Sequence, residues 1–171
     1  MFLYCELSFA MARAKPYRER AMGDQKQPGS VPGTDISLLG AEHVRVYRET
    51  NGEQGYLWNG VPTLLITTKG RKSGEPRTIP IIYTPVGEAY VIIASKGGSP
   101  THPKWYLNVL DDPNVEVQVK AERFKAVART AESPERERLW AEAVKAWPNY
   151  DIYQSRTERR IPVVVIERAA G

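Results

Sequence analysis

The sequence is poor in the residues that carry disulfide and metal chemistry. Cys5 is its only cysteine, which excludes an intramolecular disulfide and a cysteine-based metal site. There are two histidines, His43 and His102, too few and too far apart to build a metal centre. A catalytic triad would need one of them beside a nucleophile and an acid, so chemistry without a metal is expected. No run approaches the roughly 20 apolar residues that cross a bilayer. The G-x-G-x-x-G dinucleotide fingerprint is missing, and so is a Walker-type phosphate loop. Gly70-Arg71-Lys72-Ser73-Gly74 lacks the first glycine of such a loop and runs into Glu75-Pro76 where a helix should begin.

What is present is an ordinary globular composition. The 171 residues are 42% hydrophobic and 26% charged, enough for one domain with one core. The net charge is +4, and its distribution says more than its size. Lys69, Arg71, Lys72 and Arg77 lie close together with only Glu75 among them. Such a cluster suits an anionic small molecule, whereas a nucleic acid would need cations spread over a wide face. A solvated charged turn is the plain alternative. The single cysteine fits a reducing, cytoplasmic compartment.

Residues 1–33 read as a flexible leader outside the core. Phe2, Leu3, Tyr4, Leu7, Phe9 and Met11 are apolar, but Glu6 interrupts them and no basic residue precedes them, a poor signal peptide. Arg13, Lys15, Arg18 and Arg20 follow, then the Pro/Gly-rich Gln27 to Gly33. Apolar and basic residues in this order suit the surface of a membrane, so peripheral membrane contact is an expectation. Met11 and Met22 are alternative starts, and residues 34–171 are expected to form the domain.

Thr34-Asp35 offer an N-cap, and Ile36 to Arg48 reads as a helix ending near Asn51-Gly52. Val61 to Thr68, Arg77 to Thr84 and Ala89 to Ser95 read as strands joined in a meander. Thr101 to Leu110 reads as a short helix stopped by Asp111-Asp112-Pro113. Val115, Val117 and Val119 alternate with polar residues as a half-buried strand, and Phe124, Ala126 and Ala128 form its hairpin partner. Ser133-Pro134 opens a helix with Leu139, Trp140, Ala143, Val144 and Trp147 on one face, ended by Pro148. Ile161 to Ile166 is a last strand. Six strands, mostly in hairpins and without βαβ crossovers, predict a mainly β (α+β) fold: a split antiparallel β-barrel of about six strands with flanking helices.

Three further segments are candidates for chemistry. Ser95-Lys96-Gly97-Gly98 leaves a strand through two glycines, which brings backbone close to a ligand or simply makes a hinge. Trp105 and Tyr106 are consecutive on a helix and must point different ways, with Asn108 beyond them. Tyr150 and Tyr153 sit three apart on a short polar segment, where their phenols could donate a hydrogen bond or cap the barrel. His43 falls in an expected surface helix, and His102 reads as a positional residue at a helix start.

In order and spacing these segments resemble the deazaflavin (coenzyme F420)-dependent nitroreductase and quinone reductase family. The resemblance rests on Leu65-Ile66-Thr67-Thr68-Lys69-Gly70-Arg71-Lys72-Ser73-Gly74-Glu75-Pro76-Arg77, then Pro80 and Tyr83-Thr84, then Ala94-Ser95-Lys96-Gly97-Gly98. It continues through Pro103-Lys104-Trp105-Tyr106-Leu107-Asn108, Asp112-Pro113, Tyr150-Asp151-Ile152-Tyr153-Gln154 and Ile161-Pro162-Val163-Val164. It implies a split barrel and bound reduced F420. The coenzyme's phosphate and polyglutamate tail would be held by Arg71, Lys72 and Ser73, with Lys69 near, and by Arg77. Thr78, Ile79, Pro80, Ile81 and Ile82 would line the pocket. Ile93, Ala94, Ser95, Lys96 and Gly97 would meet the ring, and Lys104, Trp105, Tyr106, Leu107 and Asn108 would close the other side. Ser95, Tyr150 and Tyr153 would be the catalytic residues.

The resemblance implies hydride transfer to a quinone or another activated double bond, with nitro compounds a second class. Trp147 and Ile82 stand where the namesake nitroreductase has tyrosines, which weighs against nitro compounds more than against quinones. Flavin mononucleotide is the runner-up coenzyme, and a heme-binding barrel is a rival within the fold. A non-catalytic barrel that sequesters F420 or a lipid is a rival of another class, and a nucleic-acid-binding barrel a third. No nucleic-acid partner is expected, and the oligomeric state, a homodimer included, is left open.

Overall fold

The computed structural model describes residues 38–170. Among them the chain forms α1 (Gly40–Glu49), β1 (Leu57–Trp58), β2 (Val61–Lys69), β3 (Pro76–Val86) and β4 (Ala89–Ile93). A 3-10 turn at Lys96–Gly98 leads to α2 (Lys104–Asp111), β5 (Asn114–Val119), β6 (Glu122–Thr130), α3 (Glu135–Ala146), α4 (Asn149–Ser155) and β7 (Val163–Arg168). The strands run β2-β3-β4-β7-β6-β5, and β5 pairs back to β2, closing an antiparallel barrel of six with β1 as an appendage on β2. The expected split-barrel architecture is therefore the observed one.

Closure falls on β2. Leu65, Ile66 and Thr67 pair with Pro80, Ile79 and Thr78 on one side and with Gln118, Val117 and Glu116 on the other. Alternation then sorts the side chains: Leu64, Ile66, Ile92, Val117, Ala126, Val164 and Ile166 fill the barrel interior with Trp105. A second apolar layer lies outside the barrel, where Val91, Ile93, Val163 and Val165 meet Leu139 and Ala143 of α3 and Tyr150 of α4. β4 and β7 are thus covered on both faces, which explains why their sequences are unbroken apolar runs. Each fully buried aliphatic side chain contributes about 1.5–3 kcal/mol.

The helix α1 is pinned by Tyr47, which is fully buried. Its hydroxyl donates to the Thr63 carbonyl at 3.0 Å and accepts from the Lys120 N–H at 2.9 Å, so one phenol ties α1 to β2 and to the β5–β6 turn. Burial pushes that phenol up to about 12. His43, one turn earlier on the same face, is buried as well and bonds through Nε2 with the Gly55 carbonyl at 2.7 Å. It is a core residue, not the surface residue expected, because α1 turns this face onto the sheet.

The remaining differences are local. The helix expected from Ile36 begins at Gly40; Leu38 and Leu39 are non-helical, and Thr34-Asp35 lie outside the described residues. The helix expected from Thr101 begins at Lys104. The short polar segment after Pro148 is a fourth helix, Asn149 to Ser155, since Pro148 both ends α3 and stands at the N-cap of α4. β1 is an extra short strand. The leader, residues 1–33, and the start of the domain at residue 34 lie outside the described residues.

Candidate functional site

The β2–β3 connection carries the basic cluster. Its loop is closed by Gly70 N donating to the Glu75 carbonyl at 2.8 Å and Gly74 N donating to the Gly70 carbonyl at 2.7 Å. Asn108 braces it from α2: its Nδ2 donates to Thr68 Oγ1 at 3.0 Å, and its Oδ1 accepts from the Arg71 N–H at 3.3 Å. Arg71, Lys72 and Arg77 stay exposed. Together with Ser73, Thr78, Lys104, Trp105 and Asn108 they line a cavity of about 630 Å³. Fixed backbone under mobile cations suits a flexible polyanion, since charge-assisted hydrogen bonds are the strong kind.

A second cavity of about 460 Å³ adjoins it, and Ile79 and Trp105 line both. Its other walls come from Pro80, Ile81 and Ile82 of β3, Ile93, the loop Ser95–Gly97, and Tyr150 and Tyr153 of α4. Trp147 completes one side and packs at a tilt against Trp58, at a ring separation of 5.8 Å. Leu39 and His43 of the α1 region reach the same space. A basic cleft that runs into an aromatic and aliphatic slot fits a flat ring joined to an anionic tail.

The loop after β4 is shaped by its backbone. Lys96, Gly97 and Gly98 have φ of 47°, 63° and 82°, three consecutive left-handed residues. Gly98 is irreplaceable for a second reason: a Cβ there would sit 2.5 Å from the Tyr153 carbonyl and 2.8 Å from Arg156 Cβ. Only glycine lets the loop touch α4, and that contact sets where Tyr150 and Tyr153 stand relative to Ser95. Behind the loop, Arg159 donates to the carbonyls of Ser95 and Ser99, each at 2.7 Å, and to that of Ala94 at 3.2 Å.

Burial pushes the Tyr150 phenol well above the ordinary tyrosine value, and neighbouring Tyr153 adds to the shift. The Tyr150 hydroxyl has no hydrogen bond to another described residue, so it is available, protonated, to a bound molecule. Burial, and then the Arg159 guanidinium, hold the His102 imidazole below its ordinary value. Its Nδ1 lies 3.3 Å from Arg159 Nη1, and its ring faces Tyr106, away from both cavities.

Most of the residues expected at a site converge on this groove. Ala94, Tyr106, Leu107 and Lys69 do not line it. Ala94 is sealed in the core, and Lys69 projects from the end of β2. Tyr106 packs edge-on against Trp105 at a ring separation of 5.9 Å, and its hydroxyl bonds with Thr130 Oγ1 at 3.0 Å, outside the groove. Trp147, expected on the substrate side, lines the groove, and Leu39, Trp58 and Arg159 belong to it or to its support without having been expected there. Trp58 had a signal, the Asn59-Gly60 turn beside it; Arg159 had none. Among the described residues no group of three or more His, Cys, Asp or Glu could hold a metal ion.

A family model described as F420H(2)-dependent quinone reductase matches residues 39–168. An F420H(2)-dependent quinone reductase of Mycobacterium tuberculosis is 44% identical over 130 residues, which is 74% of this chain and 87% of the relative. A solved F420-H2 dependent reductase is 44% identical, with a TM-score of 0.59 over 62% of this chain and 94% of that one. Another solved structure, described as a domain-swapped dimer, is 42% identical, with a TM-score of 0.60 over 72% of this chain and 96% of that one. The family model, the Mycobacterium tuberculosis relative and the first of these structures name F420H(2), and none names flavin mononucleotide.

Proposed function

The chain belongs to the F420H(2)-dependent quinone reductase family, and on that premise we propose that it reduces a quinone with reduced F420 in the groove between β3, α2 and α4. The observation that carries this reading is the junction of the two cavities at Ile79 and Trp105. A basic cleft and an apolar slot share one wall, as a flat ring on a polyanionic tail requires. When bound, the reduced deazaflavin supplies the hydride. Arg71, Lys72, Arg77 and Lys104 hold the anionic tail, and Ser73 adds a hydroxyl. Ile79, Ile81, Ile93 and Trp105 exclude water from the ring. Tyr150 donates the proton that accompanies the hydride, from a hydroxyl kept protonated by burial. Tyr153 and Ser95 orient the acceptor between them. Trp58, Trp147 and Ile82 offer a flat apolar seat, which suits a quinone better than a small polar nitro compound.

Association as a homodimer and contact of residues 1–33 with a membrane surface are further parts of the proposal. No helix among the described residues is long and apolar enough to cross a membrane. The direct test mixes the purified chain with reduced F420 and menadione and follows coenzyme oxidation. Turnover supports the reading, tight binding without turnover points to a sequestering protein, and the absence of both overturns it.

A further inference from the structure

Arg159 stands in the irregular segment between α4 and β7 and spreads its guanidinium behind the ring-facing loop. Nε donates to the Ser99 carbonyl at 2.7 Å, and Nη2 to the carbonyls of Ser95 at 2.7 Å and Ala94 at 3.2 Å. Nη1 meets His102 Nδ1 at 3.3 Å. Its partners are therefore neutral. The arginines Arg45, Arg129, Arg160 and Arg168 each pair with a glutamate, whereas Arg159 has no carboxylate partner among the described residues. Its charge acts on the loop.

The two carbonyls held by Nη2 belong to the peptide units 94–95 and 95–96. The opposite ends of those units are the N–H groups of Ser95 and Lys96, which have no partner among the described residues. Ser95 is right-handed (φ −73°, ψ −43°) and Lys96 left-handed, and both line the apolar cavity. A right-handed residue followed by a left-handed one turns successive N–H groups toward one side, a concavity that takes an oxygen bearing negative charge. A cation on the carbonyl end of a peptide polarises its N–H end and strengthens any bond it donates.

We propose that Arg159 is the positioning residue of an oxyanion-type site. Its guanidinium fixes and polarises the peptides whose N–H groups, Ser95 and Lys96, receive a carbonyl oxygen bearing negative charge: the quinone's gains it as hydride arrives, and the reduced ring's bears it before hydride leaves. That oxygen belongs either to the coenzyme ring or to the quinone, and the assignment rests on the function proposed above. The balance is simple: a hydride and a proton reach the acceptor, and no bond forms to the protein.

The test compares Arg159→Met and Arg159→Lys with Arg160→Ala, a neighbour that pairs with Glu137 and touches no part of the loop. In the full chain without ligand, Arg159→Met raises hydrogen exchange at Gly98 and Ser99, whose N–H groups bond to the Ser95 and Lys96 carbonyls, about tenfold while β2 and β7 keep their protection. With ligands it lowers kcat by about tenfold or more, the scale expected when oxyanion donors are weakened. Arg159→Lys recovers part of the loss, and Arg160→Ala behaves as the unmodified chain. Weakened F420 binding assigns the oxygen to the coenzyme; an effect on menadione kinetics alone assigns it to the quinone. Unchanged exchange overturns the proposal, and so does faster exchange with unchanged affinity and turnover. If the unmodified chain neither binds F420 nor turns over, the function reading fails, and exchange alone then decides the role of Arg159. Should Arg159→Met not fold, Arg159→Lys carries the same measurements.

Discussion

At the scale of single residues, the groove separates anchoring from chemistry. Arg71 and Lys72 are exposed on a braced loop, so replacing both by alanine should raise the F420 dissociation constant at least tenfold and leave the melting temperature nearly unchanged. Equal affinity in the double variant would remove them from tail binding. Tyr150→Phe should lower turnover at unchanged coenzyme affinity, and a normal rate would take the proton-donor role from it. His102 makes a pH prediction. Its folded-state value is held below the ordinary 6.5, so the unfolded chain binds more protons just beneath that pH. Stability should therefore fall as pH drops below about 6.5, and thermal melts of His102→Gln should show a flatter dependence. The anchoring residues were legible because they are consecutive and oppositely surrounded by little acid. Arg159 was not: it lies in an arginine-rich stretch with Arg156 and Arg160, and only tertiary folding distinguishes the one that turns inward.

Among elements, the contact between the 3-10 turn and α4 is the sensitive joint. Gly98→Ala places a Cβ 2.5 Å from the Tyr153 carbonyl in a left-handed position, so α4 must move. A stability cost of about 1–3 kcal/mol is expected, with a larger proportional loss of turnover than of F420 binding. Denaturant melts and separate kinetic constants would check this, and a variant that keeps wild-type turnover would refute the joint. The strands were readable from their alternation and from the apolar runs of β4 and β7. β1 was readable in principle, since Asn59 and Gly60 take φ of 50° and 76°, as a two-residue hairpin turn requires, but two residues are too few to show a period. α4 escaped because seven residues after a proline carry no amphipathic repeat, and packing against α3 holds it, aided by Trp140 Nε1 donating to Asp151 at 2.9 Å.

Taken as a whole molecule, the barrel depends on a few ties between distant segments. Tyr47→Phe leaves the Lys120 N–H without its acceptor and should cost about 1–3 kcal/mol, measurable as a lower midpoint in urea. No local pattern in the sequence announces such a tie, because its partners are 73 residues apart. The overall architecture was legible all the same, because hairpins without crossovers leave few ways to bury six apolar strands.

The placement of β7 has a consequence for biosynthesis. This strand is late in the chain yet lies between β4 and β6, inside the closed barrel. While a ribosome still holds it, β4 and β6 expose unpaired edges, and the apolar layer beneath α3 and α4 lacks Val163 and Val165. The groove then lacks a firm seat for α4, so coenzyme binding is expected to need β7 in place. Of the described strands, β7 is the keystone set last.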